Sequence, residues 1–228
     1  SETTARKGIK AVFFHGRGGT VGRGAGPTHW FMEALPQGAL CGHLRMTEQG
    51  ETIAQKYAHM NSAVYNVEAL MASAAAATVR HRKGRAMDER LGPVMDRLAG
   101  WSTEAYRALL HAPDFMIFYR NATPIDALEN SRIGSRPARR TGQATLADLR
   151  AIPWVFSWTQ SRFYLPGWFG AGSALQRMQT EDASGLELLQ DSVRREPFLR
   201  YVITNIESTL VSVNTAWMRE YASLVPDA

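Results

Sequence analysis

The sequence predicts an α/β protein that is predominantly helical, with about four short parallel strands arranged as part of a (β/α)8-type barrel. Two patterns support this prediction. Short apolar segments alternate with helical periodicity, and arginines lie just beyond the ends of the predicted strands. Ligands bind at the carboxyl ends of strands in such barrels, so the arginines favour an anion site there. Four strands cannot close a barrel, and we therefore expect an incomplete architecture.

The first predicted element is a short buried strand over residues 11–14, which leads into a glycine-rich loop. Residues 16–26 contain six glycines and two arginines. Glycine lets the backbone approach a ligand closely, and each guanidinium can donate paired hydrogen bonds to carboxylate or phosphate. The loop is not a dinucleotide fingerprint, because Val21 stands where the third glycine belongs, and it lacks the lysine of a P-loop. It therefore predicts an anion-binding loop of another kind.

The remaining elements follow from apolar periodicity and from Gly and Pro breaks. Strands are expected over residues 40–47 and 151–158, with a strand-to-loop transition over 133–137 and a turn over 48–51. Helices are expected over residues 28–35, 63–82, 87–111, 114–122, 146–150, 172–180, 184–194 and 198–224. We find no internal repeat or linker and interpret residues 1–228 as a single segment without an internal boundary.

Composition narrows the function classes. The chain has 26 basic and 21 acidic residues, a net charge of +5, and only four lysines among the basic residues. Nucleic-acid binders usually cluster their basic residues on one face, whereas these arginines are spread along the chain, so no nucleic-acid partner is expected. No apolar run reaches the length of a membrane span, and no signal peptide is recognisable. Cys41 is the single cysteine, which favours a cytoplasmic protein without disulfides.

Four segments resemble the signatures of phosphoenolpyruvate carboxylases, in the family's order and at compatible spacing. They read FHGRGGTVGRG at residues 14–24, LRMTEQGE at 44–51, IGSRPARR at 133–140 and LRAIPWVFSWTQ at 149–160. The resemblance implies a lyase that fixes carbon dioxide in an anaplerotic reaction supplying the tricarboxylic acid cycle. Phosphoenolpyruvate and bicarbonate would give oxaloacetate and phosphate with Mg²⁺ or Mn²⁺.

The resemblance also implies roles for individual residues. His15, Arg17 and Arg23 would be catalytic, and Arg17, Arg136 and Arg150 would hold phosphoenolpyruvate together with Gly18 and Gly19. Arg45, Arg140 and Glu48 would lie around these groups as supporting charges. No metal ligand is assigned in this chain.

The resemblance further implies that much of the enzyme lies elsewhere. The upstream motifs, the metal-binding carboxylates and the C-terminal tail of the family are not found, so those segments would be partners and the complete enzyme a homotetramer. We expect this chain to be inactive alone and to leave core residues such as Trp154 and Phe156 poorly covered. Two other hypotheses remain open: a non-catalytic module or scaffold that binds phosphoenolpyruvate or another anion, and an arginine-rich RNA-binding protein.

Overall fold

A computed structural model of the protein describes residues 2–9, 11–19, 26–40, 42–84, 87–131, 137–141, 143 and 145–226. Helices dominate the described part of the chain. They are α1 (Glu2–Arg6), α2 (Thr28–Glu33), α3 (Gly50–Tyr57), α4 (Met60–Lys83), α5 (Leu91–Leu110), α6 (Phe115–Asn121), α7 (Ile125–Asn130), α8 (Ala151–Gln160), α9 (Ala171–Glu181), α10 (Ala183–Ser192), α11 (Pro197–Ser212) and α12 (Thr215–Ala222). Two short 3₁₀-helices cover Leu146–Asp148 and Leu165–Gly167. The strands are β1 (Phe14–Gly16) and β2 (Arg45–Thr47).

The chain forms two compact units. Unit 1 contains Ser1–Leu91 and Leu188–Thr204, and unit 2 contains Gly92–Glu187 and Asn205–Ala228. Each unit combines two separate stretches of sequence, so a single cut in the chain would not separate them. The interpretation of residues 1–228 as one segment stays a prediction.

Unit 1 contains the parallel sheet. Strand β1 pairs with β2 in parallel, with His15 opposite Met46. The prediction of parallel strands is confirmed for this pair, but the predicted burial of residues 11–14 is wrong. Val12 and Phe13 are exposed, and Phe14 is 60% exposed, because no described element of unit 1 covers them. Two strands do not make a barrel, so the barrel stays a prediction.

The helical core of unit 1 is built on α4, which confirms the predicted helix over residues 63–82. Helix α2 packs against α4, where Met32, Leu40 and Ala77 are almost fully buried. Small side chains such as Ala77 let the two helices approach closely. Gly84 ends α4 in the left-handed conformation at φ +61°, which glycine adopts without strain.

Unit 2 is organised around an aromatic core that corrects a second prediction. Residues 151–158 were expected to form a buried strand, but they form helix α8. Pro153 lies in the first turn, where a backbone N–H has no intrahelical acceptor, so it does not disrupt the helix. Periodicity could not distinguish the two structures, because a short helix buried on several sides is as uniformly apolar as a buried strand.

Trp158 lies at the centre of this aromatic core and is fully buried. Its ring lies 5.2 Å from Tyr119 and 5.4 Å from Phe163, between ring centroids. The Tyr119 hydroxyl lies 3.0 Å from Ser157 Oγ, and burial raises the pKa of this phenol. Trp154 and Phe156, which we expected to be poorly covered, are partly buried.

The end of the chain differs from the predicted single helix over residues 198–224. The helix is interrupted between α11 and α12, where Asn214 Oδ1 accepts hydrogen bonds from the backbone N–H groups of Ala216 and Trp217, both at 3.1 Å. Asparagine at this position stabilises the start of a new helix. The segment predicted over 133–137 lies almost entirely outside the described residues. Within the described chain, no helix is long and apolar enough to span a membrane.

Candidate active site

Arg17 directly follows β1, and only 6% of its surface is exposed. Several contacts fix its guanidinium group. Its Nη1 donates to Thr28 Oγ1 at 3.0 Å, and its Nη2 donates to the Gly26 carbonyl oxygen at 2.7 Å. The guanidinium carbon lies 5.0 Å from the centroid of the Phe31 ring. The Nε of Arg17 is buried and has no hydrogen-bond partner among the described residues. A fixed cation with a spare donor is suited to binding an anion.

His15 lies beside the same aromatic ring. Its imidazole makes an edge-on contact with Phe31 at 5.3 Å between centroids, and Phe31 in turn contacts Tyr201 at 6.4 Å. Phe31 therefore joins His15 and Arg17, the first and last members of the His-Gly-Arg sequence. The catalytic roles expected for both residues stay a prediction.

A second set of contacts supports Arg17 from helix α3. Lys56 Nζ donates to Thr28 Oγ1 at 3.2 Å, so the same hydroxyl accepts from both Lys56 and Arg17. Lys56 also forms an ion pair with Glu48, whose side chain is 10% exposed. Burial, together with the Glu48 carboxylate, raises the pKa of Tyr57. Glu48 thus balances the charge of Lys56 and is linked to Arg17 through Lys56 and Thr28.

The backbone around Arg17 is also fixed. Gln49, the residue before α3, donates from Nε2 to the Arg17 carbonyl oxygen at 3.2 Å. Gly26 adopts φ +131°, a region that favours glycine, and its carbonyl oxygen accepts from Arg17. Gly18 and Gly19 follow Arg17 and are partly buried.

Unit 2 holds another predicted arginine, Arg150, at the start of α8. Its backbone N–H donates to the Ala138 carbonyl oxygen at 2.9 Å. Like Arg17, it has a buried Nε that has no hydrogen-bond partner in the described chain. The neighbouring Arg139 has a structural role, because it pairs with Glu129 and donates to the carbonyl oxygens of Gln143 and Thr145.

The predicted site residues therefore fall into three groups: those of unit 1, those of unit 2 and those outside the described residues. His15, Arg17, Gly18, Gly19 and Glu48 belong to one region of unit 1. Arg45 begins β2 in the same unit, Arg150 and Arg140 belong to unit 2, and both Arg45 and Arg140 are exposed. Arg23 and Arg136 lie outside the described residues. That Arg17 and Arg150 bind one ligand stays a prediction.

The described residues do not suit a divalent metal. They contain no group of three His, Cys, Asp or Glu side chains that could hold a metal ion. Glu48 is paired with Lys56.

Comparison with known proteins identifies the relatives of this chain. The family model described as phosphoenolpyruvate carboxylase matches residues 1–228. The chain belongs to the phosphoenolpyruvate carboxylase family. A phosphoenolpyruvate carboxylase of Chromobacterium violaceum is 43% identical over 224 residues, covering 98% of this chain and 25% of the relative. One of Nocardia farcinica is 42% identical over 229 residues, covering all of this chain and 25% of the relative.

The chain spans about a quarter of the length of these curated phosphoenolpyruvate carboxylases. The family assignment suggested by the four motifs is confirmed, while the activity of the whole enzyme is a matter of proposal.

Three residues around Arg17 were not predicted from the sequence: Thr28, Phe31 and Lys56. One signal was available for Lys56, since it is one of only four lysines in an arginine-rich chain. Its contact with Thr28 could not be derived from spacing, because it depends on how α3 folds back towards the start of α2.

Proposed function

We propose that this chain supplies the arginine and glycine-loop half of a phosphoenolpyruvate carboxylase active site. The reaction would convert phosphoenolpyruvate and bicarbonate to oxaloacetate and phosphate. The observation that carries this proposal is Arg17, a buried guanidinium held by several contacts, whose Nε has no hydrogen-bond partner among the described residues and which directly follows a parallel strand. The proposed reaction is inferred from membership of the phosphoenolpyruvate carboxylase family.

The electrostatics of Arg17 suit this reaction. Phosphoenolpyruvate carries several negative charges, and cleavage of its phosphate ester develops further charge on the enolate oxygen. Donors that are fixed before the reaction stabilise such charge without the cost of reorganisation. Burial strengthens the interaction, because the effective dielectric is lower than in water. Thr28, Gly26 and Phe31 hold the guanidinium in place, and Lys56 holds Thr28.

Residues of this chain would take part in each proposed step. Bicarbonate oxygen attacks phosphorus, the ester bond breaks, and carboxyphosphate and the enolate of pyruvate form. Carboxyphosphate divides into carbon dioxide and phosphate, and the enolate carbon attacks carbon dioxide. Arg17, with Arg136 and Arg150, would hold the phosphate and the enolate, and His15 would position carboxyphosphate or carbon dioxide. Arg23 would act from the glycine loop.

The remaining parts of the enzyme are part of the proposal. We propose that β1 and β2 are neighbouring strands of a (β/α)8 barrel completed by segments outside this chain. The exposed apolar residues Val12, Phe13 and Phe14 support this, since an uncovered apolar patch favours burial by another surface. Those segments would also carry the ligands for Mg²⁺ or Mn²⁺. The complete protein would be a cytoplasmic homotetramer.

The test is oxaloacetate formation, coupled to malate dehydrogenase, from phosphoenolpyruvate, bicarbonate and Mg²⁺. Arg17→Ala in the complete protein should lower kcat/KM by about 10²–10³-fold, the typical cost of removing a transition-state donor. Arg82→Ala is the matched control, because Arg82 is an exposed arginine of the same unit. This chain alone should form no oxaloacetate.

Each outcome has a defined meaning. Activity of the complete protein that survives Arg17→Ala at the control level would contradict the proposal. If the complete protein binds phosphoenolpyruvate through Arg17 but forms no oxaloacetate, the function is that of a non-catalytic anion-binding module.

A further inference from the structure

Unit 1 contains a cavity that is not used by the proposed reaction. It has a volume of about 670 Å³ and lies between the end of α2, the last turns of α4 and the start of α11. Pockets of about 300–1,000 Å³ are typical of small-molecule sites. The size of this cavity therefore suits a small organic ligand. We call it the Arg200 cavity, after the arginine that lines it from α11.

The charged groups of the Arg200 cavity are predominantly basic. Arg80, Arg195 and Arg200 line it, and the carboxylates facing them are Glu33 and Glu196. Three guanidinium groups against two carboxylates leave one positive charge in excess. His81 also lines the cavity, and its Nδ1 lies 3.2 Å from the Leu40 carbonyl oxygen. An excess of arginine in a concave site favours an anion.

The arrangement around Glu33 leaves arginine donors available. Arg200 Nη2 donates to Glu33 Oε2 at 3.1 Å, and Arg80 Nη2 lies 3.9 Å from Glu33 Oε1. One carboxylate is thus shared by two guanidinium groups, each of which has five N–H donors. Both arginine side chains keep more than two fifths of their surface exposed. Arg200 Nη1 also donates to the Arg194 carbonyl oxygen at 3.4 Å. Among the described residues, Glu33 and this carbonyl use only part of the donors of the two arginines, and Glu33 acts as their shared counter-ion.

Apolar side chains form another part of the wall. Leu35, Met87 and Phe198 line the cavity alongside the arginines. The start of α11 at Pro197 also lies there, and the partial positive charge of a helix N-terminus adds to that of the arginines. An inorganic ion would use only the basic part of this wall, whereas a molecule with an apolar body would use both parts.

We propose that the Arg200 cavity binds a small organic anion. Its carboxylate or phosphate group contacts Arg80 and Arg200, and its apolar body lies against Leu35 and Phe198. This site is separate from Arg17 and does not depend on the proposed carboxylation. A carboxylic acid and a phosphate monoester share the required chemistry, and the choice of probes distinguishes them.

The test is calorimetric titration of the complete protein with phenylphosphonate and, in parallel, with benzoate. Inorganic phosphate lacks the apolar body, and benzyl alcohol lacks the charge, so both should bind more weakly than the better of the two probes. Arg200→Gln and Arg80→Gln should each weaken binding about tenfold, the expected effect of losing one charge-assisted contact. Arg82→Gln is the matched control from the same helix as Arg80 and should not change the affinity. Arg17→Gln reports any probe that binds at the candidate active site instead.

Glu33→Gln provides a result in the opposite direction. This variant removes the internal competitor for both arginines, so the preferred probe should bind several-fold more tightly. A purely structural role of the ion pairs predicts the reverse, because loss of Glu33 would disorder the cavity. Thermal unfolding of each variant separates loss of binding from loss of folding.

Three results would overturn the proposal. The first is absence of saturable binding of either probe. The second is weaker binding in a folded Glu33→Gln variant. The third is binding that is lost in Arg17→Gln but retained in Arg200→Gln, which would assign the probe to the candidate active site. Failure of the carboxylase proposal would affect only the oxaloacetate assay and would leave these titrations unchanged.

Discussion

The sheet of unit 1 and the aromatic core of unit 2 bury their apolar residues to very different extents. Trp158 is fully buried in the aromatic core of unit 2, whereas Phe14 in unit 1 is 60% exposed. Yet the exposed strand leads directly into Arg17, which is buried and held by several contacts. A side chain can therefore be buried and fixed by local contacts although the apolar residues of the strand before it are exposed.

The largest effect on stability should follow from a large-to-small substitution in the aromatic core of unit 2. Trp158→Ala removes a fully buried indole and should lower the free energy of unfolding by about 3–5 kcal/mol. Trp217→Ala is the control, because Trp217 is 55% exposed and should cost far less. Chemical denaturation of the two variants measures the difference. Equal losses would mean that the aromatic core of unit 2 is not what stabilises it.

A smaller effect is expected from the contacts that hold Arg17. Lys56→Met removes one of the two donors to Thr28 Oγ1 and leaves Glu48 without the Lys56 counter-ion. We expect kcat/KM for phosphoenolpyruvate to fall about tenfold, equivalent to one lost charge-assisted contact. The kinetics of the complete protein measure this.

Lys56→Arg is the conservative control, because it retains the positive charge beside Glu48 and should recover part of the lost activity. Unchanged kinetics in a folded Lys56→Met variant would show that Thr28 holds Arg17 without Lys56.

The two regions also differ in how far the sequence predicted them. The parallel pairing of the strands and the position of Arg17 after β1 followed from apolar segments and glycines. The helix at residues 151–160 was not predicted from the sequence. Apolar residues lie on several of its faces, so the sequence shows no clear helical period. The roles of Thr28 and Lys56 were not predictable either, since they arise from contacts between segments 28 residues apart. The local sequence pattern thus predicts the position of Arg17 after a strand, whereas the residues that contact Arg17 depend on tertiary packing.

A still smaller effect is expected at the exposed strand. Phe14→Ser should change the unfolding free energy of this chain alone by no more than about 0.5 kcal/mol, as for most surface substitutions. The same substitution in the complete protein should cost more, because we propose that the strand is covered there. Denaturation of both forms tests this, with Phe118→Ser, in the aromatic core of unit 2, as a control that is costly in each. Equal small costs in both forms would contradict a missing covering layer.

The smallest effect concerns a surface carboxyl before α5. Hydrogen bonds from Arg90 lower the pKa of Asp88 to about 2. Because the pKa is depressed in the folded protein, the interaction is present above the ordinary pKa of about 3.9 and is lost as pH falls through about 2. Arg90→Gln should return the pKa towards its ordinary value in an NMR titration. Arg97→Gln, which instead removes the partner of Asp182, should leave Asp88 unchanged.

The most direct test of the central claim is phosphoenolpyruvate binding to the complete protein without bicarbonate, measured calorimetrically. If Arg17 is a preformed anion site, Arg17→Gln should weaken binding by about 10–100-fold, the usual range for a hydrogen bond to a charged group. Arg82→Gln, with the same change of charge, should bind as the unchanged protein does. An Arg17→Gln variant that folds normally and retains full affinity for phosphoenolpyruvate would contradict the account.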